Sequence, residues 1–315
     1  MTIRIGISGW TYKPWRGVFF PKGLPQKHEM AYAARSFPSI EVNGTFYGLQ
    51  RPKSFRTWHD GTPDDFVFAI KASRYITHIR RLRDAEKPLA NFFAQGVLAL
   101  GKKLGPILWQ LPPSYRFDAE RLEAFLKLLP HDTEAAAALA RRHEAGMKGR
   151  VFLKPEGRRR LRHAMEIRHE SFRDPDFVRL LRKYRVGLVV ADTVEWPRLG
   201  DITADFVYVR LHGSERLYAS GYSDAALQDW ARRLRSWSRS RAPRDIDRLA
   251  KAGPRVKVKD IYVYFDNDMK VKAPFDALKL AQRLKVKAGK PPLEDFVQKK
   301  ARGRPKPAAG RKGRS

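Results

Sequence analysis

The sequence predicts an α/β chain folded as a (β/α)8 barrel of the TIM type. Three observations lead there. Eight short β-rich runs recur between Ile3 and Phe265. Most intervals between them carry apolar residues at helical spacing. Within the runs, apolar and polar residues alternate, as they do when one strand face meets helices and the other lines a lumen. Strand–helix alternation calls for a parallel sheet, and eight repeats suit a closed barrel, typically about 250 residues long. A doubly wound open sheet is the alternative. Its signatures are missing: no G-x-G-x-x-G follows the first run, and no G-x-x-x-x-G-K-S/T occurs anywhere.

In chain order, the first strand is Ile3–Ser8 and the first helix Glu29–Ser36. Strand two, Ser39–Asn43, sets Ile40 and Val42 against Glu41 and Asn43. Strand three, Phe66–Ala72, sets Phe66, Phe68 and Ile70 against Lys71, and a helical pattern over Leu89–Leu104 follows. Strand four, Pro106–Leu111, sets Ile107, Trp109 and Leu111 against Gln110; its helix is Ala119–Leu128. Residues 131–163 are Ala-rich, then Arg-rich, and are expected as a surface insertion between strands four and five. Strand five, Ala164–Arg168, sets Met165 and Ile167 against Glu166 and Arg168, with helix Asp176–Tyr184 after it. Strand six is Gly187–Ala191. The TVEWPRLGD stretch beyond it is too short, and too broken by Pro197 and Gly200, for a full helix, so that barrel helix is expected to be missing or reduced. Strand seven, Phe206–Leu211, sets Val207, Val209 and Leu211 against Tyr208, Arg210 and His212, ahead of helix Asp224–Ser238. Strand eight, Asp260–Phe265, sets Ile261, Val263 and Phe265 against Tyr262, Tyr264 and Asp266, and helix Pro274–Val286 closes the repeat. One barrel domain over 1–295 and a disordered basic tail over 296–315 result.

Composition narrows the function. Hydrophobic residues make up 43% of the 315, enough for a core, and there is no cysteine. Disulfides, thiolate-held metals and thiol catalysis are thereby excluded. No apolar run reaches the ~18 residues of a membrane span, and MTIRIGISGW has no apolar signal region. A cytoplasmic protein with no membrane partner is expected. Lys and Arg number 64 against 33 Asp and Glu, a net charge of +31. Such an excess suggests a polyanionic partner, nucleic acid first; a host-wide compositional bias is the bland explanation for the body.

Inner parity gathers Glu41, Lys71, Gln110, Glu166, Arg168, Arg210 and His212 toward the strand C-termini, where barrel enzymes keep their chemistry. Burying that many charges is costly unless they pair. Glu41 and Glu166 are each expected within salt-bridge reach of Lys71, Arg168 or Arg210. A self-satisfied ion network is the alternative to a functional pocket. The loops add Trp10, Tyr12, Trp15, Thr45, Phe46, Tyr47, Ser73, Tyr75, Thr77, His78, His169, Ser171, Asp192 and Asn267. Aromatics beside cations suit ring-bearing ligands.

The ordered blocks IGISGWTYKPWRGVFFP, EVNGTFYGLQRPKSFRTW, FAIKASRYITH, ILWQLPP, EIRHESF, ADT, YVRLHG and YVYFDND resemble those of the YecE-like family, catalogued as domain of unknown function 72. The resemblance runs from about Ile3 to Leu284 and leaves out most of 131–163. It implies a (β/α)8 barrel and no established reaction, so it carries over no catalytic residues. It sets Glu41, Asn43, Lys71, His78, Gln110, Glu166, Arg168, His169, Asp192, Arg210, His212 and Asn267 within family blocks. A tail of the present kind is not something it implies.

Three chemistries compete. Glycoside hydrolysis needs two carboxylates about 5–10 Å apart, and Glu41 with Glu166 are the candidates. A resemblance to the large retaining barrel class would instead put glutamates at the ends of strands four and seven, which hold Gln110 and His212. A metal-dependent phosphodiesterase, similar to the endonuclease IV barrels, could draw ligands from Glu41, Glu166, Asp192, His212 and Asp266. Fixed charge on Lys71, Arg168 and Arg210 opposes a divalent cation unless it is paired away. An anionic ligand fits the charge signs best: Lys71, Arg168, Arg210, His212 and His78 converge on phosphate or carboxylate. Catalytic candidates are Glu166 and Glu41 as general bases, Lys71 as a nucleophile made reactive beside arginine, and His212. Ligand contacts are expected from Trp10, Asn43, Tyr47, Thr77, His78, Gln110, Arg168, His169, Asp192, Arg210 and Asn267. No cofactor and no metal ligand is assigned, with a divalent ion left open. If the chain is an enzyme, a hydrolase or lyase acting on a phosphate-bearing substrate is the expectation; a non-catalytic DNA-associated protein is the alternative.

Residues 296–315 hold eight Lys and Arg and no acidic residue. The stretch ARGRP with Lys306 resembles the AT-hook. Arg302 and Arg304 would lie along a narrow minor groove, Gly303 lets the backbone sit deep, Pro305 turns the chain outward, and Lys306 meets phosphate. DNA is therefore the expected partner of the tail, with nucleoid association following from it. A generic basic tail is the alternative.

Overall fold

The structure, a computed structural model, describes residues 1–147, 149–213, 221–250, 256–267 and 271–296. The eight strands are β1 (Thr2–Ser8), β2 (Ser39–Val42), β3 (Val67–Lys71), β4 (Leu104–Gln110), β5 (His163–Glu166), β6 (Gly187–Asp192), β7 (Phe206–Leu211) and β8 (Asp260–Phe265). All pair in parallel and close into one barrel in sequence order, with β8 beside β1. They agree with the eight predicted runs to within two residues at each end. The register sets Ser8 beside Glu41 and Gln110 beside Glu166. Polar side chains of neighbouring strands thereby share one layer at the C-terminal end.

Parity works as the alternation predicts. Ile40, Phe68, Ile70, Trp109, Met165, Val209 and Val263 face outward into the core shared with the helices. Burying each such side chain stabilises by roughly 1.5–3 kcal/mol. Val67, Ala69, Leu108, Ala164, Val189, Tyr208, Tyr262 and Tyr264 form a second cluster inside the barrel. Three tyrosines from β7 and β8 fill the lumen, and small residues opposite make room for them. Gly6 is the tightest point: a Cβ there would lie 1.9 Å from the Ser39 carbonyl oxygen. The Tyr264 and Ser39 hydroxyls meet at 2.6 Å beside it.

The helices are α1 (Glu29–Ser36), α2 (Gly44–Tyr47), α3 (Pro52–Asp60), α4 (Glu86–Ala94), α5 (Ala119–Leu128), α6 (Thr133–Ala140), α7 (Pro175–Lys183), α8 (Asp224–Ser238) and α9 (Ala273–Leu284). α7 shows how local sequence starts one. Asp174 accepts the Asp176 N–H at 2.8 Å, Pro175 opens the first turn, and Phe177, Val178, Leu180 and Leu181 are buried.

Two stretches depart from expectation. The helix expected over Leu89–Leu104 is split into α4 and a 3-10 segment, Val97–Lys103, by Gly96 at φ 122°. Any Cβ at Gly96 would also lie 2.7 Å from Pro52 Cα, so α3 packs where the longer helix would run. The insertion is not wholly a surface excursion. Asp132 caps α6 through the Ala135 N–H at 2.8 Å, and Ala136, Ala137 and Ala140 are buried as α6 packs on α4. Its Arg-rich second half pairs off under the barrel: Arg158 with Asp132, Arg160 with Asp205, and Arg162 with Asp260.

As predicted, no helix joins β6 to β7. Thr203 stitches the connection instead, accepting from the Leu188 N–H and donating to the Val186 carbonyl, both at 2.7 Å. Asp201 accepts the N–H groups of Leu249 and Ala250, so the chain beyond α8 covers the gap. No helix of the described residues is long and apolar enough to cross a membrane.

Candidate functional site

The C-terminal mouth of the barrel holds one continuous charged network. β7 sends Arg210 into the lumen, fully buried. Its five N–H groups all find acceptors. Nε and Nη2 contact Glu41 at 3.0 and 2.9 Å, Nη1 contacts Glu166 at 2.8 Å, and Nη2 contacts Asp266 at 2.7 Å. The remaining Nη1 proton faces His212 Nε2 at 3.3 Å. That nitrogen must therefore accept, which leaves the ring proton on Nδ1, 3.2 Å from Asp266 Oδ2. Burial and the adjacent Arg210 both lower the His212 pKa, so the ring is neutral.

Glu41 is saturated. Its Oε1 also accepts from Ser8 Oγ at 2.8 Å, and its Oε2 from the Tyr208 hydroxyl at 2.6 Å. Glu166 accepts from Gln110 Nε2 and Arg168 Nε, each at 2.8 Å. Burial alone would raise the Glu166 pKa, but Arg210 first, then Arg168 and Lys71, hold it well below the ordinary carboxylate value. Asp266 is held at about 2 against its own burial, by Arg210 and His212. The expected pairing of both glutamates with inner-face cations is thus present.

This geometry reassigns roles. A carboxylate with no unused acceptor position, or one that resists protonation, makes a poor general base. Glu41 and Glu166 both hold the Arg210 guanidinium, and Glu166 is the one kept well below the ordinary carboxylate range. They are also fully buried and bridged by one guanidinium, so they cannot flank a glycosidic bond. His212 is enclosed between Arg210, Asp266 and the Trp196 ring edge at 5.5 Å. Among the described residues, no group of three or more His, Asp or Glu could hold a metal ion. The physical reason is that Arg210 occupies the point on which Glu41, Glu166 and Asp266 converge.

Lys71 ends β3 on the inner face and behaves differently. Its strand end is fixed by the Thr45 hydroxyl, which donates to the Lys71 carbonyl at 2.7 Å. Its Nζ sits 4.3 Å above the Phe46 ring. Among the described residues, no carboxylate lies within ion-pair distance of it. Burial first, and Arg210 second, lower its pKa to about 8. His78 packs edge-on to the same Phe46 ring at 5.1 Å, with Nδ1 2.9 Å from the Thr77 hydroxyl. Burial, then Lys71 and Arg168, hold His78 at about 4. Arg168 lies over Trp196 at 3.7 Å from the ring centroid.

Other expected contacts lie apart. Asp192 is on the helix-facing side of β6, where it accepts from Trp230 Nε1 of α8 at 3.1 Å and from Arg198 at 2.8 Å. It borders a separate cavity of about 340 Å³ with Trp196 and Asp247. Asn267 keeps the outward parity of Phe265 and donates to Asp276 of α9 at 3.0 Å. His169 caps the short turn Glu170–Phe172 through the Ser171 N–H. Trp10 packs edge-on to Trp58 at 5.6 Å. Tyr47 stands on the rim, 71% exposed. Asn43 precedes α2 with its side-chain oxygen buried and without a hydrogen-bond partner among the described residues. Arg302, Gly303, Arg304, Pro305 and Lys306 lie outside the described residues. Sequence reasoning missed Trp196, since TVEWPRLGD has no periodicity to orient a ring. It met Asp266 only as a possible metal ligand, although inner parity already put it beside Arg210.

Comparison with known proteins places the chain in context. The family model described as protein of unknown function DUF72 matches residues 4–301. UPF0759 protein YunF of Bacillus subtilis (strain 168) is 28% identical over 134 residues, covering 41% of this chain and 46% of that protein. UPF0759 protein YecE of Escherichia coli (strain K12) is 29% identical over 113 residues, covering 36% and 39%. The matched stretches thus span less than half the length of these curated relatives. A crystal structure of a DUF72 family protein from Thermotoga maritima MSB8 superposes with a TM-score of 0.69 at 23% identity, covering 90% of this chain and 100% of that one. One from Enterococcus faecalis V583 gives 0.65 at 17%, covering 92% and 98%. Both likenesses are of fold.

Proposed function

We propose, for a chain that belongs to the DUF72 family of unknown function, that the barrel mouth binds an anionic small molecule bearing phosphate or carboxylate. One observation carries this reading. Arg210 gathers Glu41, Glu166 and Asp266 onto itself, while Lys71 has no carboxylate within ion-pair distance among the described residues. The depressed His78 agrees, because Lys71 and Arg168 are among its causes and mark a positive potential at the mouth. An incoming anion would give Lys71 a counter-ion at ion-pair distance, which among the described residues it does not have. Phe46 and Trp196 would flank its carbon skeleton.

The test is thermal unfolding in rising inorganic phosphate against sodium chloride of equal ionic strength. At a phosphate concentration of 100 times Kd, the wild type gains about 2.7 kcal/mol. Lys71→Met loses most of that gain, whereas Lys102→Met, at an exposed site just ahead of β4 at the opposite end of the barrel, keeps it. Equal gains in wild type and Lys71→Met overturn the reading.

The tail carries a separate proposal, resting on sequence. Its eight uncompensated positive charges and the ARGRP core suit DNA, with Arg302 and Arg304 in the minor groove.

A further inference from the structure

We infer that Lys71 is a covalent centre, forming an imine with the carbonyl carbon of an aldehyde or ketone held at the barrel mouth. This rests on the anion-binding reading for what recruits the substrate, and adds what the site does to it. The first support is geometric. A lysine that only neutralises charge sits against carboxylates, as Lys183 does at 2.6 Å from Glu123. Lys71 ends its strand inside the mouth, 8% exposed, with an aromatic face below it and the guanidinium of Arg210 behind the network. The carboxylates that could clamp it as an ammonium, Glu41, Glu166 and Asp266, are instead turned onto Arg210.

The second support is protonation. At a pKa of about 8, close to a tenth of Lys71 is neutral amine at pH 7. That is roughly 300 times the fraction of an ordinary lysine. Its neighbours add no competing titration. Arg210 is held well above the ordinary arginine value and stays charged, Glu166 and Asp266 stay ionised, and His78 is neutral above about 4. Glu41 is engaged by Arg210, Ser8 and Tyr208.

The step balances without another reactant. The amine nitrogen adds to the carbonyl carbon, a C–N bond forms, and the C–O π pair moves onto oxygen. One proton from the nitrogen and one from solvent reach that oxygen, which leaves as water. The protonated imine that remains keeps the positive charge of Lys71 and serves as an electron sink for bonds next to the former carbonyl carbon. The substrate class is then a small aldehyde or ketone carrying phosphate or carboxylate.

The experiment treats the full chain with pyridoxal 5′-phosphate or with pyridoxal, used as aldehyde reagents, followed by borohydride and peptide mapping by mass spectrometry. Lys71 should be labelled at least tenfold faster than the exposed lysines, with a rate that rises through a single midpoint near pH 8. Inorganic phosphate should slow labelling by the phosphorylated reagent. Lys71 labelled no faster than exposed lysines by either reagent overturns the imine, even where phosphate still stabilises the wild type and not Lys71→Met. Rapid labelling by both reagents alike, with no protection by phosphate, keeps the imine and removes the anion site. A labelling midpoint near 10 counts against the imine assignment.

Discussion

Arg210→Met is the sharpest test of the network at the barrel mouth. Methionine keeps much of the volume but removes every donor that Glu41, Glu166 and Asp266 share. Breaking a buried ion pair by removing one partner costs about 3–5 kcal/mol, because the other charge stays buried and uncompensated. The pKa of Asp266 gives a second route to the magnitude. A fall from 3.8 to about 2 corresponds to about 2 kcal/mol at neutral pH, and Glu166 adds in the same direction. A total loss of about 3–5 kcal/mol is expected at pH 7, read by urea unfolding. The pH dependence has a definite sign. In the wild type both carboxylates have depressed folded-state pKa values, so their contribution is complete above about pH 5 and fades as pH falls toward 2. In the variant the same carboxylates, desolvated and without the guanidinium, bind protons more readily than the unfolded chain. The gap between variant and wild type therefore narrows from pH 7 to pH 4. A loss under about 1 kcal/mol, or a gap that does not change with pH, would falsify the account of Arg210 as the common counter-ion.

Two further outcomes follow from the same chemistry. Lys71→Met should stabilise the fold at pH 7 by up to about 3 kcal/mol, since a folded-state pKa of about 8 against 10.5 penalises the ammonium; the advantage should shrink as pH rises from 8 to 10.5, and denaturant curves showing the variant weaker than wild type would reverse the argument. For the tail, deleting 298–315 should flatten the dependence of log K on log salt for duplex DNA. Arg304→Ala should weaken A·T-rich binding more than G·C-rich binding, while Lys312→Ala lowers both alike; equal losses for Arg304→Ala in a competition titration leave only a generic basic tail.

The sequence by itself determined the architecture and the face on which the charges lie. A barrel strand alternates with period two, and that alternation is local, so Ile40 against Glu41 and Val209 against Arg210 are readable without coordinates. The tight fit at Gly6 had no such signal, because it depends on where Ser39 and Tyr264 arrive from two other strands. Parity was also silent at Asp192, since β6 is apolar on both faces and buried throughout. Asn267 could have been placed by extending the parity of Phe265 past the strand end.

Which charges pair was decided only by closure of the barrel. Glu41, Glu166 and Asp266 come from β2, β5 and the end of β8, and nothing in their spacing says that one guanidinium from β7 reaches all three. Once Arg210 does so, Glu41 has all four acceptor positions filled, and Lys71 remains without a carboxylate within ion-pair distance among the described residues. Coulomb energy between buried groups depends on separations of a few ångströms across the lumen, which sequence distance does not encode. For that reason the composition of the mouth was legible in the chain, and the sharing of one guanidinium among three carboxylates was not.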